Sequence, residues 1–141
     1  MFDMSKDDIF LLGNIGLSAI IAGYGDEVMP LLDVVKSERP LNAGGFIAEA
    51  LHLYAKGETE AAVALLEETT ALRADVNLDE ALAFHLFLLH RTGAAEKVLA
   101  LGESYLAERL VTSPQAVATI EEIVSLVRAD VAFHDYRQAA L

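Results

Sequence analysis

The segment ALHLYAKGETEAAVALL, residues 50–66, contains two apolar helical patterns separated by the turn Lys56-Gly57-Glu58. Alanine, leucine and glutamate are strong helix formers. Apolar residues recur at the i, i+3, i+4 and i+7 positions that give a helix one buried face. Glycine supplies the backbone freedom that a tight turn between two helices requires. The segment therefore predicts a helical hairpin.

The same apolar spacing extends in both directions and predicts seven helices in the chain of 141 residues. Ser5 followed by Asp8, and Ser113 followed by Pro114, are typical helix starts. Tight turns at Gly25, Gly57 and Gly93 alternate with looser links. The predicted helices cover residues 5–23, 26–37, 45–56, 58–73, 78–91 and 94–109, and a last stretch from 114 to near 129.

The three turn glycines, Gly25, Gly57 and Gly93, are 32 and 36 residues apart, with a mean of 34. A period of 34 residues is that of the tetratricopeptide repeat, a repeated helix–turn–helix unit. We therefore expect an all-α fold, a tetratricopeptide-like superhelical array of three helical hairpins plus a C-terminal capping helix. A single domain of this kind would cover residues 1–141.

Several residues of the central hairpin resemble a tetratricopeptide unit. Ala50 and Ala62 stand where that motif has small residues, Tyr54 where it has an aromatic residue, and Gly57 at its turn. The flanking units depart from the motif, because Pro30 and Val98 take the position of Ala62. The chain also lacks the signature tryptophan.

The strings IAGYGD (21–26), ALHLYAKG (50–57) and VALL (63–66) carry a likeness to one family. Short, acidic, cysteine-free proteins with degenerate tetratricopeptide repeats resemble the type III secretion chaperones that cradle needle or export subunits in bacteria. The resemblance implies a cytoplasmic chaperone whose partner is an aggregation-prone helix of a secreted subunit or of a co-chaperone.

Composition and charge exclude several classes of function. The chain has 22 acidic and 10 basic residues, a net charge of −12. Such a surface repels the phosphates that nucleic-acid binding must neutralise, so we expect neither DNA nor RNA as a partner. The absence of cysteine excludes thiol nucleophiles and thiolate metal sites. The apolar stretch 9–22 is too short to insert across a bilayer.

Residues with catalytic or metal-binding chemistry are few and scattered. His85 and His90 are five residues apart, which places them on different faces of a helix rather than as a metal-binding pair. The acidic pairs along the helices are typical of solvated faces. We therefore predict no enzyme activity, no cofactor and no metal site.

A partner-binding groove is predicted from the first helix of each pair. Counting back 10, 6 and 3 residues from each turn glycine gives nine positions, eight of them apolar or aromatic: Ile15, Ala19, Ala22, Ile47, Leu51, Tyr54, Ala83, Phe87 and His90. Such a lining suits the apolar face of an amphipathic helix.

Three other interpretations stay open at this stage. The apolar stripes could simply form the core. The protein could be a generic tetratricopeptide adaptor, or a structural homodimer that hides its groove in itself. It could also bind a small apolar ligand in the groove.

Overall fold

A computed structural model describes residues 4–140, which form seven α-helices. They are α1 (Lys6–Ile21), α2 (Gly25–Glu38), α3 (Gly44–Ala55), α4 (Thr59–Glu68), α5 (Leu78–Arg91), α6 (Ala95–Ala107) and α7 (Pro114–Ala139). The described residues contain no strand, only an isolated bridge between Asn42 and Val76. The all-α class and the seven helices are thus confirmed.

The chain divides by its internal contacts into two compact units, Met1–Ala81 and Leu82–Leu141. In the first unit α1 packs on α2 and α3, α2 packs on α3, and α3 packs on α4. In the second unit α6 packs on α7. The single repeat domain over residues 1–141 stays a prediction.

The three hairpin turns share one backbone geometry, which corrects one predicted turn. In these turns the residues with positive φ are Gly23 (+93°), Gly57 (+81°) and Gly93 (+81°). At each of them two backbone N–H groups bond back to the end of the helix, for example Gly23 to Ile20 and Tyr24 to Ala19. This is a common C-terminal helix cap. The first turn glycine is therefore Gly23 and not Gly25, so the spacings become 34 (57 − 23) and 36 (93 − 57).

Gly25 is buried at the first position of α2, where it has a packing role. A Cβ atom there would lie 2.0 Å from Nδ1 of His52. The absence of a side chain lets His52 of α3 reach the start of α2. Of the two glycines near this turn, Gly23 and Gly25, only Gly23, which follows the end of α1, adopts positive φ.

The core of the first unit is formed where α1, α2 and α3 meet. Ile20, Val28, Leu32 and Ala48 are buried together. Gly16 of α1 allows the close approach, because a Cβ at this position would lie 2.6 Å from Cδ2 of Leu32. The first helix is thus held by a narrow stripe of small and aliphatic residues.

A half-buried ion pair adds a polar link between α2 and α3. The Lys36 ammonium donates to the Glu49 carboxylate and lies 3.0 Å from Asp33 Oδ1. Burial alone lowers the pKa of Lys36, but the hydrogen bonds to Glu49 and Asp33 outweigh it and raise the pKa above its usual value. Lys36 therefore stays charged at neutral pH.

The predicted end of α4 is wrong. This helix was expected to reach residue 73, but it ends at Glu68, and Ala71–Arg73 form a short 3-10 turn. The hydroxyl of Thr69 donates to the carbonyl of Leu65. Consecutive β-branched threonines are poor helix formers, and the side-chain bond competes with the backbone ladder.

The predicted end of α7 near residue 129 is also wrong, because the helix continues to Ala139. Its first half packs on α6, where Gly102 leaves room for Val124, whose Cγ2 would lie 2.4 Å from an added Cβ. The last buried residue is Val127, and every residue from Arg128 to Ala140 is exposed. Alanine, arginine and glutamine favour helix even without packing, so the helix continues past its last contact.

Candidate binding groove

An open cavity of about 640 Å³ lies in the first unit, beside α1. Its first wall is α1, through Lys6, Ile9, Phe10, Gly13, Asn14 and Leu17. The facing walls come from the end of α2, the link after it, the start of α3 and the link before α5: Val35, Glu38, Arg39, Pro40, Leu41, Asn42, Gly44, Gly45, Asp75, Val76 and Asn77. We call this cavity the α1 groove.

The far wall of the α1 groove is built from two links that are hydrogen-bonded to each other. The Ala43 N–H donates to the Val76 carbonyl (2.9 Å), and the Asp75 N–H donates to the Leu41 carbonyl (2.8 Å). The Asn42 side-chain oxygen accepts from the Gly44 N–H (2.9 Å) and from the Asn77 amide (2.8 Å). These bonds fix the wall, since each loop satisfies polar groups of the other.

Asn77 has a left-handed backbone, with φ of +61°. Asparagine adopts this region more readily than most residues, at some cost in strain. Its amide bond to Asn42 holds it there, immediately before α5 begins. The strained residue thus belongs to the wall of the groove, and it turns the chain into the next helix.

The groove lining combines apolar side chains with polar and charged ones. Phe10, Leu41 and Val76 line it and are 72%, 49% and 52% exposed, although such side chains are usually buried. Two basic and two acidic residues also line it: Lys6, Arg39, Glu38 and Asp75. Among the described lining residues there is no histidine, serine, threonine or tyrosine.

None of the nine residues predicted for a groove lines this cavity. Ile15 is exposed on another side of α1, Ala19 packs against the core, and Ala22 follows the end of α1. Ile47, Leu51 and Tyr54 of α3 are half-buried, with Leu51 against the core. In α5, Ala83 is buried, while His90 and Phe87 are half-buried, the latter stacked on Phe84. These nine positions stay a prediction.

On α1, the predicted groove positions differ from the residues that line the cavity because the count started from the wrong glycine. The same count of 10, 6 and 3 residues back from Gly23, the true turn glycine, gives Gly13, Leu17 and Ile20. Gly13 and Leu17 do line the groove, whereas Ile20 is in the core. Because both Gly23 and Gly25 stand near the first turn, the sequence did not show from which of them the positions on α1 should be counted. The residues of the two links carry no periodic signal, so sequence reasoning missed them.

A second polar cluster joins the start of α2 to the end of α3. His52 Nε2 lies 2.8 Å from Asp26 Oδ1, and the Lys56 ammonium lies 3.5 Å from the same oxygen. The hydrogen bond to His52 and the charge of Lys56 hold the pKa of Asp26 below its usual value. Asp26 is exposed and these three side chains do not line the groove, so we interpret the cluster as structural.

The described residues contain neither a metal-binding cluster nor a membrane-spanning helix. Over residues 4–140 no three His, Asp or Glu side chains are grouped so as to hold a metal ion. Over the same residues no helix combines the length and apolar character needed to cross a bilayer.

Comparisons of the chain with protein-family models, with curated proteins and with solved structures find no match. The class of this protein therefore follows from the geometry of its structure. It is an all-α protein with three glycine-capped helical turns and an apolar groove in its first unit.

Proposed function

We propose that this protein is an interaction module whose α1 groove holds the apolar face of an amphipathic helix from a protein partner. The observation that carries the proposal is the groove itself, with Phe10, Leu41 and Val76 exposed along it. Gly13 also lines it, and a Cβ there would meet no atom closer than 4.0 Å, so a partner helix can approach the backbone closely at this position. Such a helix presents side chains at i, i+3, i+4 and i+7 to an apolar groove.

Among modules of this kind we propose a tetratricopeptide-like chaperone of a type III secretion subunit, acting in the cytoplasm of a bacterium. Two features support this choice. The turn spacings of 34 and 36 residues are close to the tetratricopeptide period. The net charge of −12 keeps a protein with an exposed apolar groove soluble.

The binding experiment uses a labelled model peptide with leucines at i, i+3, i+4 and i+7, and a scrambled peptide of the same composition. We expect the patterned peptide alone to bind, as measured by fluorescence anisotropy. Leu41→Asp places a charge in the groove and should weaken binding at least tenfold, because a desolvated carboxylate is costly.

Leu126→Asp is the matched control, because Leu126 of α7 is 50% exposed, as Leu41 is at 49%. It should bind the peptide like the wild type. Equal binding of the patterned and scrambled peptides, or equal loss in both variants, would rule out the groove as a helix-binding site.

The chaperone assignment is tested in the host. Deletion of the gene should lower the cellular amount and the secretion of one type III subunit. The wild-type chain and Leu126→Asp should restore both, whereas Leu41→Asp should not. Unchanged secretion in the deletion strain would leave a helix-binding adaptor and reject the secretion chaperone.

A second candidate function rests on the size of the cavity. Small-molecule sites commonly have volumes of roughly 300–1,000 Å³, and the α1 groove has about 640 Å³. A small apolar ligand would raise the melting temperature of the wild type and not of Leu41→Asp. Such a shift without any binding of the patterned peptide would favour this function over the helix-binding module.

A further inference from the structure

The second half of α7 carries an apolar stripe that no other part of residues 4–140 covers. Every residue from Arg128 to Ala140 is exposed, which is about 20 Å of helix at 1.5 Å per residue. Ala129, Phe133, Tyr136 and Ala140 follow one another at intervals of 4, 3 and 4 residues, the spacing of a helix that packs along another helix. Phe133 is 62% and Tyr136 73% exposed. We call these four residues the α7 seam.

The α7 seam points away from the body of the second unit. Successive residues of a helix turn by about 100° around its axis. By this count Phe133 and Tyr136 lie on the side of α7 opposite to Ile120, Val124 and Val127, which are buried. A second helix can therefore lie along the seam without displacing α6.

The charge of the chain is distributed unevenly between this segment and the rest. Residues 128–141 have two basic and two acidic side chains and no net charge, whereas residues 1–127 have 8 basic and 20 acidic ones. Like charges oppose the approach of two copies wherever their acidic parts meet. The end of α7 is thus the segment along which two copies meet without this repulsion.

We propose that the α7 seam pairs with the α7 seam of a second copy of this chain, with the two helices antiparallel. The intervals of 4, 3 and 4 residues read the same in both directions. An antiparallel copy therefore places Phe133 opposite Tyr136 of the second copy, and Ala129 opposite Ala140 of the second copy. Each pair of copies gains two aromatic contacts, and the small alanines let the helices approach at both ends.

Two charged residues beside the seam fit the same register. Asp130 and Arg137 are seven residues apart and flank the seam on one side, and the Arg137 guanidinium lies 5.9 Å from the centre of the Phe133 ring. The antiparallel register places Asp130 beside Arg137 of the second copy, and the symmetry of the pair repeats this contact. Parallel helices would instead place Asp130 beside Ser125 and Arg137 beside Ala132, with no ion pair. Charges at these flanking positions set the orientation of paired helices.

The overlap ends where the contacts within each copy begin. Residues 129–140 of one copy lie along the same residues of the other, so the parts of α7 that pack on α6 stand at opposite ends of the pair. Such an overlap is smaller than the standard interface of about 800 Å² on each partner. We therefore expect a weak pair that forms and dissociates with concentration. The inference goes beyond the proposed function and uses no residue of the α1 groove.

The first experiment measures mass by sedimentation equilibrium from micromolar to millimolar concentration. The wild type should rise from 15.2 kDa towards twice that mass. Phe133→Asp should weaken the association at least tenfold, because the pair would bury a carboxylate. Val131→Asp adds the same charge on the side of α7 opposite to the seam and should associate like the wild type. Circular dichroism verifies that both variants are helical. A wild type of 15.2 kDa at every concentration, or equal association of Phe133→Asp, would overturn the proposal.

The second experiment tests the register by exchanging charges between copies at low salt. Arg137→Glu alone and Asp130→Arg alone should each associate severalfold more weakly than the wild type, because each places like charges together. An equimolar mixture of the two variants should regain the association, since both contacts between the copies are then between opposite charges. A mixture no stronger than either variant would reject the antiparallel register.

Leu41→Asp separates this pairing from a different use of the seam. The substitution lies in the α1 groove and should leave the association of the wild type unchanged. A loss of association would show that the end of α7 binds in the α1 groove of another copy, and it would reject the pairing of two seams.

Discussion

The helices α1 and α5 are similar in composition and opposite in environment. Each is the first helix of a hairpin whose turn contains a positive-φ glycine, and each consists mainly of apolar residues. In α5 seven residues are buried: Ala81, Leu82, Ala83, His85, Leu86, Leu88 and Leu89. In α1 only Ile9, Gly16 and Ile20 are buried. Apolar composition alone thus does not show whether a helix belongs to the core.

Most apolar residues of α5 are buried within the chain, whereas Leu78, Phe84 and Phe87 are half-buried. The exposed apolar helix is α1, where Phe10 is 72% and Ile21 74% accessible. The exposed apolar surface therefore belongs to α1, and the buried apolar residues belong to α5.

The strongest test of this contrast compares truncations in the two helices. Leu86→Ala removes a fully buried side chain of α5 and should lower the free energy of unfolding by about 2–5 kcal/mol. Phe10→Ala removes a larger but exposed side chain of α1 and should change it by less than about 0.5 kcal/mol. Urea denaturation, at a concentration where the chain is monomeric, measures both. Equal losses would show that α1 is part of the core.

A smaller effect is expected from the two glycines within α1. Gly16→Ala brings a Cβ to 2.6 Å from the buried Leu32 and should lower the free energy of unfolding by about 1 kcal/mol. Gly13→Ala meets no atom closer than 4.0 Å and should raise it by about 0.5–1 kcal/mol, because alanine favours helix. Thermal unfolding of the two variants should therefore shift in opposite directions. A stabilising Gly16→Ala would show that α1 is not tightly docked on α2.

The smallest effect concerns pH and the cluster that joins α2 to α3. The pKa of Asp26 is below its ordinary value of 3.8 in the folded state, through His52 and Lys56. Its contribution to stability is therefore present above that value, and is lost as the pH falls through the folded pKa. Asp26→Asn should remove this part of the acid dependence, as measured by melting temperature between neutral and acidic pH. At neutral pH the variant should melt slightly below the wild type, by a small amount because Asp26 is exposed, and this difference should vanish as the pH falls.

Much of the local structure could be predicted from the amino-acid order, because it depends on short-range chemistry. Ser5 and Asp8 cap α1 as expected, and Pro114 is the first residue of α7. The apolar period of 3.6 residues placed all seven helices. Helix ends were less secure. The end of α4 depends on the hydrogen bond from the Thr69 side chain. The helix α7 continues beyond Val127, its last buried residue.

The α1 groove could be predicted only in part. Two residues of its α1 wall, Gly13 and Leu17, follow from counting back from Gly23. The sequence did not show whether to count from Gly23 or from Gly25, because the two glycines are close together in the chain. The distinction comes from tertiary packing, since His52 of α3 occupies the space that a side chain at position 25 would need. The facing wall pairs residues far apart in the chain, such as Leu41 and Asp75, and has no periodic pattern.

The sequence by itself thus determined the seven helices, two of their three turn glycines and the acidic charge, all properties of neighbouring residues. Only the tertiary structure decided which apolar helix is buried and which is exposed. The physical reason is that burial depends on what packs against a helix. Leu32 and Ala48 cover one narrow side of α1 at Gly16 and Ile20. The wide uncharged side, with Phe10 and Ile21, is left exposed.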